Sequence, residues 1–268
     1  MMAATLLGSA ALLPQTTAIP LSSLLSTCVD ASLRGCAEIR RVHFQRAATG
    51  SMAVSLKETD DPKSALTEAD LAAQAAIMGA LHAAWPGLRI VGEEGDDVPL
   101  TDPGAPLRRD LCPAATSEQT ARLSDITVFV DPLDGTREFV EGRLSNVLSL
   151  VGFSVHGRAV GGAIGIPFSA GDADGAAAVV YSLEGAGFGT HGFRPVAAAL
   201  GAGLRRPLVT TGDSSNAVLS AARAAALASG GSPVVIGGAG AKLLATAEGR
   251  ADLAVTNPKP NTSHVPSP

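Results

Sequence analysis

Asp131-Pro132-Leu133-Asp134-Gly135-Thr136 follows directly on Ile126-Thr127-Val128-Phe129-Val130, and the rest of the chain is best read outward from this junction. The apolar run is β-branched and aromatic and predicts a buried strand, with the hexapeptide where its carboxyl end opens into a loop. In α/β proteins ligands gather at that edge of the sheet. Two carboxylates three positions apart, in a turn stiffened by Pro132, can converge on one point. Bare, they repel each other; a bound cation turns that cost into a binding site. All-oxygen donors favour a hard ion, Mg²⁺ first. Gly135 and Thr136 lead into Arg137-Glu138-Phe139-Val140-Glu141, a helical turn whose N–H groups can meet a phosphate. The plainer alternative is that Asp131 ends a strand and Asp134-Gly135 makes a turn, as an isolated Asp-Gly commonly does.

Two upstream stretches bear on that choice. Arg89-Ile90-Val91-Gly92-Glu93-Glu94-Gly95 is a second short strand ending in glycine and acids. Neighbouring side chains on an extended segment point opposite ways, so one Glu faces the same pocket as Asp131. Taken alone, such a pair is a solvated strand end. Asp60-Asp61-Pro62-Lys63-Ser64-Ala65-Leu66-Thr67-Glu68-Ala69-Asp70 is a polar turn running into a helix predicted over Leu71–Ala84. Asp70 is placed to be the N-cap of that helix.

Together these motifs resemble the inositol monophosphatase superfamily of metal-dependent, lithium-sensitive phosphatases. The likeness runs from about Leu21 to Val255 and is strongest over Leu66–Gln74, Ile90–Glu94, Val128–Asn146 and Gly237–Asp252. The extension Thr136–Gly142 and the stretch Gly237-Gly238-Ala239-Gly240-Ala241-Lys242 are most like the bisphosphate-nucleotidase branch, which hydrolyses 3′-phosphoadenosine 5′-phosphate (PAP) to AMP. An acid pair, Asp-Pro-Leu-Asp-Gly-Thr and a late glycine-rich element, in that order, form a far more specific signal than one short motif.

The resemblance implies a layered α/β sandwich and two or three Mg²⁺ ions. It implies Glu93, Asp131, the Leu133 carbonyl and Asp134 as metal ligands, with Asp131 bridging. Thr136 and Asp70 become the pair that orients and deprotonates the attacking water, and Lys57 a basic residue near the metals. Thr211, Gly238 and Lys242 become contacts of the AMP moiety; Ser214 stands where relatives often place a histidine. The implied reaction is hydrolysis of PAP, and by analogy with some relatives of inositol 1,4-bisphosphate. An inositol monophosphatase-like enzyme and an inactive fragment are the alternatives.

The chain departs from the family after Ala251–Val255. Relatives continue into a Trp-Asp motif that supplies another metal ligand. Here Thr256–Pro268 carries four prolines and no acid, which excludes a helix and predicts a disordered tail. The expectation is a C-terminal lobe cut short, with a phosphatase domain over 20–255, an N-terminal lobe over 20–168 and a partial C-terminal lobe over 169–255.

Composition fits a globular enzyme. The chain has 268 residues, 46% of them hydrophobic and 3% aromatic, so Ala, Val and Leu must fill the core. A net charge of −5 argues against non-specific nucleic-acid binding. The partner expected is a small phosphorylated molecule, not nucleic acid or membrane. Five histidines show no metal-ligand spacing, and three cysteines, Cys28, Cys36 and Cys112, form no motif and predict reduced thiols. Residues 1–19 lack a basic residue before their apolar stretches and predict a flexible leader on a cytoplasmic protein, with organelle targeting left open.

The remaining pattern predicts a helix over Pro20–Gln45, a strand through Ser51–Glu58 and an exposed insertion over Asp96–Ser124. Asn146–Ser154 and Ala159–Ile166 predict a hairpin turning at Val155-His156-Gly157-Arg158, where Gly157 supplies φ > 0. A turn at Gly171–Gly175 and strands at Val179–Ser182 and Gly187–Gly189 follow. Next come a helix over Asn216–Ser229, a strand at Val234–Ile236 and a short helix over Gly240–Glu248 with Lys242 in its first turn. Gly161-Gly162 predicts close strand packing; Gly237-Gly238, just before a helix, predicts phosphate or ribose contact.

Overall fold

The structure is a computed structural model and describes residues 16–49, 54–56, 65–95, 97–112, 118–169, 176–192, 208–211 and 217–256. The leader up to residue 15, Lys57, the Gly171–Gly175 turn, Ser214 and the tail from residue 257 lie outside them. The chain divides into two compact units, Met1–Arg194 and Pro195–Pro268.

The first unit begins with β1 (Ala18–Pro20) and α1 (Leu21–Thr49), followed by β2 (Val54–Leu56) and β3 (Ala65–Thr67). Then come α2 (Glu68–Ala84), β4 (Arg89–Gly92), β5 (Thr120–Arg122) and β6 (Ile126–Asp134). It closes with α3 (Thr136–Val140), β7 (Leu148–Val155), β8 (Arg158–Ile166), β9 (Ala178–Leu183) and β10 (Gly187–His191). Six of these strands form one mixed sheet in the order β10-β9-β8-β7-β6-β4. Only the β4–β6 pair is parallel; the others run antiparallel. β9 and β10 therefore extend this sheet beyond residue 168, where the sequence places the lobe boundary.

Periodicity explains the helix layer. Leu21, Leu24, Leu25, Cys28, Ser32, Cys36, Ile39 and Val42 recur at helical spacing on α1 and are all buried. That stripe packs on α2 and on β7, β8 and β9, while α2 packs on β6. Removing each Leu or Ile from water contributes about 1.5–3 kcal/mol. Trp85, just past α2, donates its indole N–H to Thr27 Oγ1 at 2.8 Å, which satisfies its one polar atom inside the core.

The hairpin expectation holds. β7 and β8 are joined by His156-Gly157, with φ of 52° and 77°, the paired left-handed geometry of a two-residue loop whose twist matches its strands. Gly161-Gly162 also packs closely. A Cβ on Gly161 would lie 2.6 Å from the Phe153 ring, and one on Gly162 2.9 Å from the Val151 carbonyl oxygen.

The expected exposed insertion is corrected in part. Leu107 and Cys112 are buried. The Cys112 amide donates to Ser26 Oγ at 3.1 Å, and the Arg108 amide to Asp30 at 3.1 Å. Arg34 donates to the Ala105 carbonyl at 2.6 Å, and Arg109 lies 3.8 Å over the Trp85 ring. Buried side chains at 107 and 112, with Arg34 reaching into the segment and Arg109 reaching out of it, fasten it to α1 and Trp85.

In the second unit β11 (Leu208–Thr211), α4 (Ala217–Ala228), β12 (Ser232–Val235), α5 (Ala239–Ala247) and β13 (Leu253–Val255) alternate. The strands form a parallel sheet in the order β12-β11-β13. α4 is the crossover between the paired strands β11 and β12, and α5 carries the chain from β12 past β11 to β13 on its other side.

Candidate active site

The hexapeptide is not a loop beyond its strand. β6 runs on through Asp134, and a β-bulge sits inside the motif: Asp131 pairs with Leu150 and Asp134 with Leu148. Three steps on β6 therefore face two steps on β7. On a regular strand, residues three apart point to opposite faces. The extra residue cancels that change of parity, so Asp131 and Asp134 share a face because their partners, two apart, share one. Pro132 lacks an amide hydrogen and suits a bulge, where a ladder bond is already lost. Asp131 Oδ1 is fully buried and Asp134 is 8% exposed.

Glu93 arrives by backbone register. Gly92 on β4 is level with Val130 on parallel β6, and the Glu93 amide donates to the Val130 carbonyl at 2.9 Å. Glu93 and Asp131 therefore stand side by side, each one residue past the last pairing of the parallel β4–β6 ladder. The Glu94 amide donates to Gln74 Oε1 at 2.9 Å, and Gln74 Nε2 donates to the Gly95 carbonyl at 2.8 Å. Gln74, fully buried on α2, thus fixes the turn that follows Glu93.

Asp70 has a different place from the one expected. The N-cap of α2 is Thr67, the helix starts at Glu68, and Asp70 is the third helical residue of a capping box. Asp70 Oδ2 accepts from the Thr67 amide at 2.8 Å and the Thr67 hydroxyl at 2.6 Å. Asp70 Oδ1 accepts from Thr136 Oγ1 at 2.9 Å. A carboxylate only 1% exposed thus links the start of α2 to the first residue of α3. Thr136 Oγ1 also lies 3.2 Å from the Leu133 carbonyl, but its one hydrogen serves one acceptor at a time, and Asp70 is nearer.

The turn between Asp134 and Thr136 is Gly135, with φ 88° and ψ 39°, a left-handed conformation that a side chain disfavours. Its neighbour is the buried Glu138, which sequence reading missed. Glu138 accepts from Arg143 Nε at 2.7 Å, Arg143 Nη2 at 2.6 Å and Asn146 Nδ2 at 3.0 Å. The Arg143 guanidinium holds its carboxyl below the usual carboxylate range. Arg46, from α1, donates to the Val140 carbonyl at 3.0 Å and so anchors the end of α3.

The residues expected to contact nucleotide all lie in the second unit. Thr211 ends β11, level with Val235 on β12 and Val255 on β13. Gly238, with φ 76°, is the N-cap of α5. Lys242 lies in the first turn of α5, 7% exposed, and donates to the Ile236 carbonyl at 3.2 Å and to the Gly238 carbonyl. Its ammonium is folded back onto the segment that precedes the helix.

Among the described residues, no three His, Cys, Asp or Glu side chains are gathered into a ready ion cage. Backbone register brings together Glu93 and Asp131, and the bulge places Asp134 on the same face as Asp131. This donor set is all oxygen and fits a hard divalent cation.

A carboxylate-bearing sheet edge beside a Thr–Asp pair is the geometry of this site, and sequence comparison gives the family of the chain that carries it. The inositol monophosphatase family model matches residues 21–262, and the chain belongs to that family. It is 36% identical over 153 residues to the 3′(2′),5′-bisphosphate nucleotidase 1 of Dictyostelium discoideum, covering 54% of this chain and 46% of that protein. It is 33% identical over 199 residues to the human protein of the same name, covering 70% and 62%. The chain thus spans less than two thirds of the length of these relatives. Among solved structures, the suhB extragenic suppressor protein of Bartonella henselae superposes with a TM-score of 0.61 at 20% identity, covering 85% of this chain and 76% of that one. The Thermotoga maritima IMPase gives 0.53 at 21% identity, covering 82% and 74%. The α/β fold expected from the sequence is therefore the fold of this family.

Proposed function

We propose that the chain is a Mg²⁺-dependent, lithium-sensitive phosphomonoester hydrolase that converts PAP to AMP and phosphate, with inositol 1,4-bisphosphate as a second substrate. The observation that carries this reading is the 2.9 Å hydrogen bond from Thr136 Oγ1 to Asp70 Oδ1, at the end of a strand bearing Asp131 and Asp134. Glu93, Asp131, the Leu133 carbonyl and Asp134 would hold two or three Mg²⁺ ions. Bound there, the cations would supply a more acidic water and charge stabilisation on the leaving oxygen.

The chain's own residues do the rest. Thr136 donates to Asp70, so lone pairs of its hydroxyl are left to accept a hydrogen bond from water. As that water attacks phosphorus, its proton passes to Thr136 Oγ1 while the Thr136 proton passes to Asp70 Oδ1. The P–O3′ bond breaks with its electron pair going to O3′, which takes a proton from solvent to leave as the AMP 3′-hydroxyl, and Asp70 returns its proton to solvent. The two Thr67 donors engage Asp70 Oδ2 and leave Oδ1 to Thr136. Thr211, Gly238 and Lys242 are proposed to contact the AMP moiety. The proposed compartment is the cytoplasm, with organelle targeting as the alternative.

The test is phosphate release by the purified chain from PAP, inositol 1,4-bisphosphate and inositol 1-phosphate, with Mg²⁺, with and without millimolar Li⁺. Lithium-sensitive release that prefers PAP is expected. Preference for inositol 1-phosphate would overturn the nucleotide assignment, and no release from any of the three at saturating Mg²⁺ would overturn the hydrolase.

A further inference from the structure

We infer that Glu138, clamped by Arg143 and Asn146, is the positioning residue that holds Asp134 and Thr136 in register with each other. This rests on the proposed function only for the roles of Asp134 and Thr136; the clamp itself is a matter of geometry.

The segment from Asp134 to Leu148 is a closed ring. Asp134 is the last residue of β6 and pairs with Leu148, the first of β7. Between them the chain makes α3 and a helical turn at Leu144–Asn146, and Phe139 and Val147 seat this ring in a small apolar cluster with Leu133 and Phe168. Glu138 ties that ring across its middle. Arg143 meets both its oxygens, Asn146 adds a third donor, and the Arg143 amide donates to the Glu138 carbonyl at 2.8 Å. Two-pronged arginine–carboxylate contacts fix orientation as well as distance. The carboxylate is 4% exposed, so its partners are not readily replaced by water.

The far side of the clamp touches the motif. The carbonyl oxygen of Asn146, whose side chain Glu138 holds, lies 2.8 Å from where a Cβ on Gly135 would stand. Glu138 Cγ lies 3.5 Å from the same point. Gly135 is the single residue between Asp134 and Thr136, so Asn146 and Glu138 together wall the turn that sets the two apart. Arg143 also binds Glu141, which Arg137 holds from the other side at 2.7 Å. The ring is thus neutralised within itself, and Glu138 adds little unbalanced negative charge beside the motif carboxylates. Phe139 and Val147 anchor the ring by apolar burial, but the atoms nearest the Gly135 turn itself belong to Asn146 and Glu138.

Glu138→Gln, Arg143→Ala and the conservative Arg143→Lys test this in the purified full chain with three readouts. Hydrogen exchange by mass spectrometry reads the peptide spanning Asp131–Thr136 against one from β9. Calorimetry reads Mg²⁺ affinity, and phosphate release from PAP reads kcat and KM separately. In Glu138→Gln and Arg143→Ala, exchange at the motif accelerates at least about tenfold with β9 unchanged. Mg²⁺ affinity and kcat fall about 10–100-fold, the range for residues that orient metal ligands, while KM stays within about twofold. Arg143→Lys recovers part of each loss, but not all, since a lysine cannot make the two-pronged contact. Motif exchange and Mg²⁺ affinity equal to those of the parent would overturn the inference. So would acceleration equal in β9, which marks general destabilisation. A parent chain that releases no phosphate defeats the proposed function, and the exchange comparison still decides the clamp.

Discussion

Asp70 is 1% exposed, with one oxygen taken by Thr67 and the other by Thr136, whereas Glu93 stands exposed at the end of β4 and is brought to the site by its backbone. Both are acids at one candidate site of the first unit, yet they are placed by different physics. Asp70 is located by what its own oxygens accept, so removing the side chain also removes a helix cap. Glu93 is located by a parallel ladder that would form with any side chain at that position. Chemistry and stability are thus coupled at the Asp70 carboxylate, while the place of Glu93 is set by its backbone.

That contrast can be broken by measurement. Asp70→Asn and Thr136→Ala should each lower phosphate release from PAP about 10²–10⁴-fold, the range for a lost acid–base partner. Both should also lower stability by about 1 kcal/mol or more, Asp70→Asn through the capping box and Thr136→Ala by leaving the buried Asp70 Oδ1 without its donor. A Thr136→Ala variant as stable as the parent would contradict that coupling. Glu93→Gln should reduce Mg²⁺-dependent release about a hundredfold and leave stability within about 0.5 kcal/mol of the parent. A large loss of stability there would mean that its side chain, and not the ladder, places it.

Gly135→Ala sharpens the picture from the backbone side. A methyl 2.8 Å from the Asn146 carbonyl, at a left-handed φ, should cost about 1–3 kcal/mol and displace Asp134 from Thr136. Unchanged melting and phosphate release would contradict the wall described around that turn. The smallest effect is expected at His43. Its ring packs edge-on against Phe139 and Phe168, and burial, then Arg46 and Arg40, pushes its pKa below the ordinary value. The unfolded chain then holds the proton more readily, so stability present above about pH 6.5 falls as pH drops through that value. Thermal melts between pH 8 and 5 should show this slope, and His43→Leu should flatten it.

Much of the fold was legible because its signals are local. The run Ile126–Val130 alternates inside β6, the α1 stripe keeps helical spacing, and His156-Gly157 can hardly be anything but a tight turn. The candidate site was legible as a set of residues and less so as geometry. The bulge in Asp131–Asp134 depends on which residues of β7 stand opposite, and that pairing is non-local. Asp70 reads as an N-cap from its position before an apolar run, yet Thr67, three residues earlier, takes that place and makes Asp70 the reciprocal partner. The Thr67-x-x-Asp70 spacing of a capping box was the available signal. Glu138 carried none: Arg143 and Asn146 reach it through a short loop whose path no periodicity predicts.

The most direct test of the account is a crystal of the chain soaked in Mn²⁺ and measured at the manganese absorption edge. The account predicts anomalous density at the carboxyl ends of β4 and β6, within bonding distance of Asp131 and of at least one of Glu93 and Asp134. Full Mn²⁺ occupancy elsewhere, with none at that edge, would contradict it.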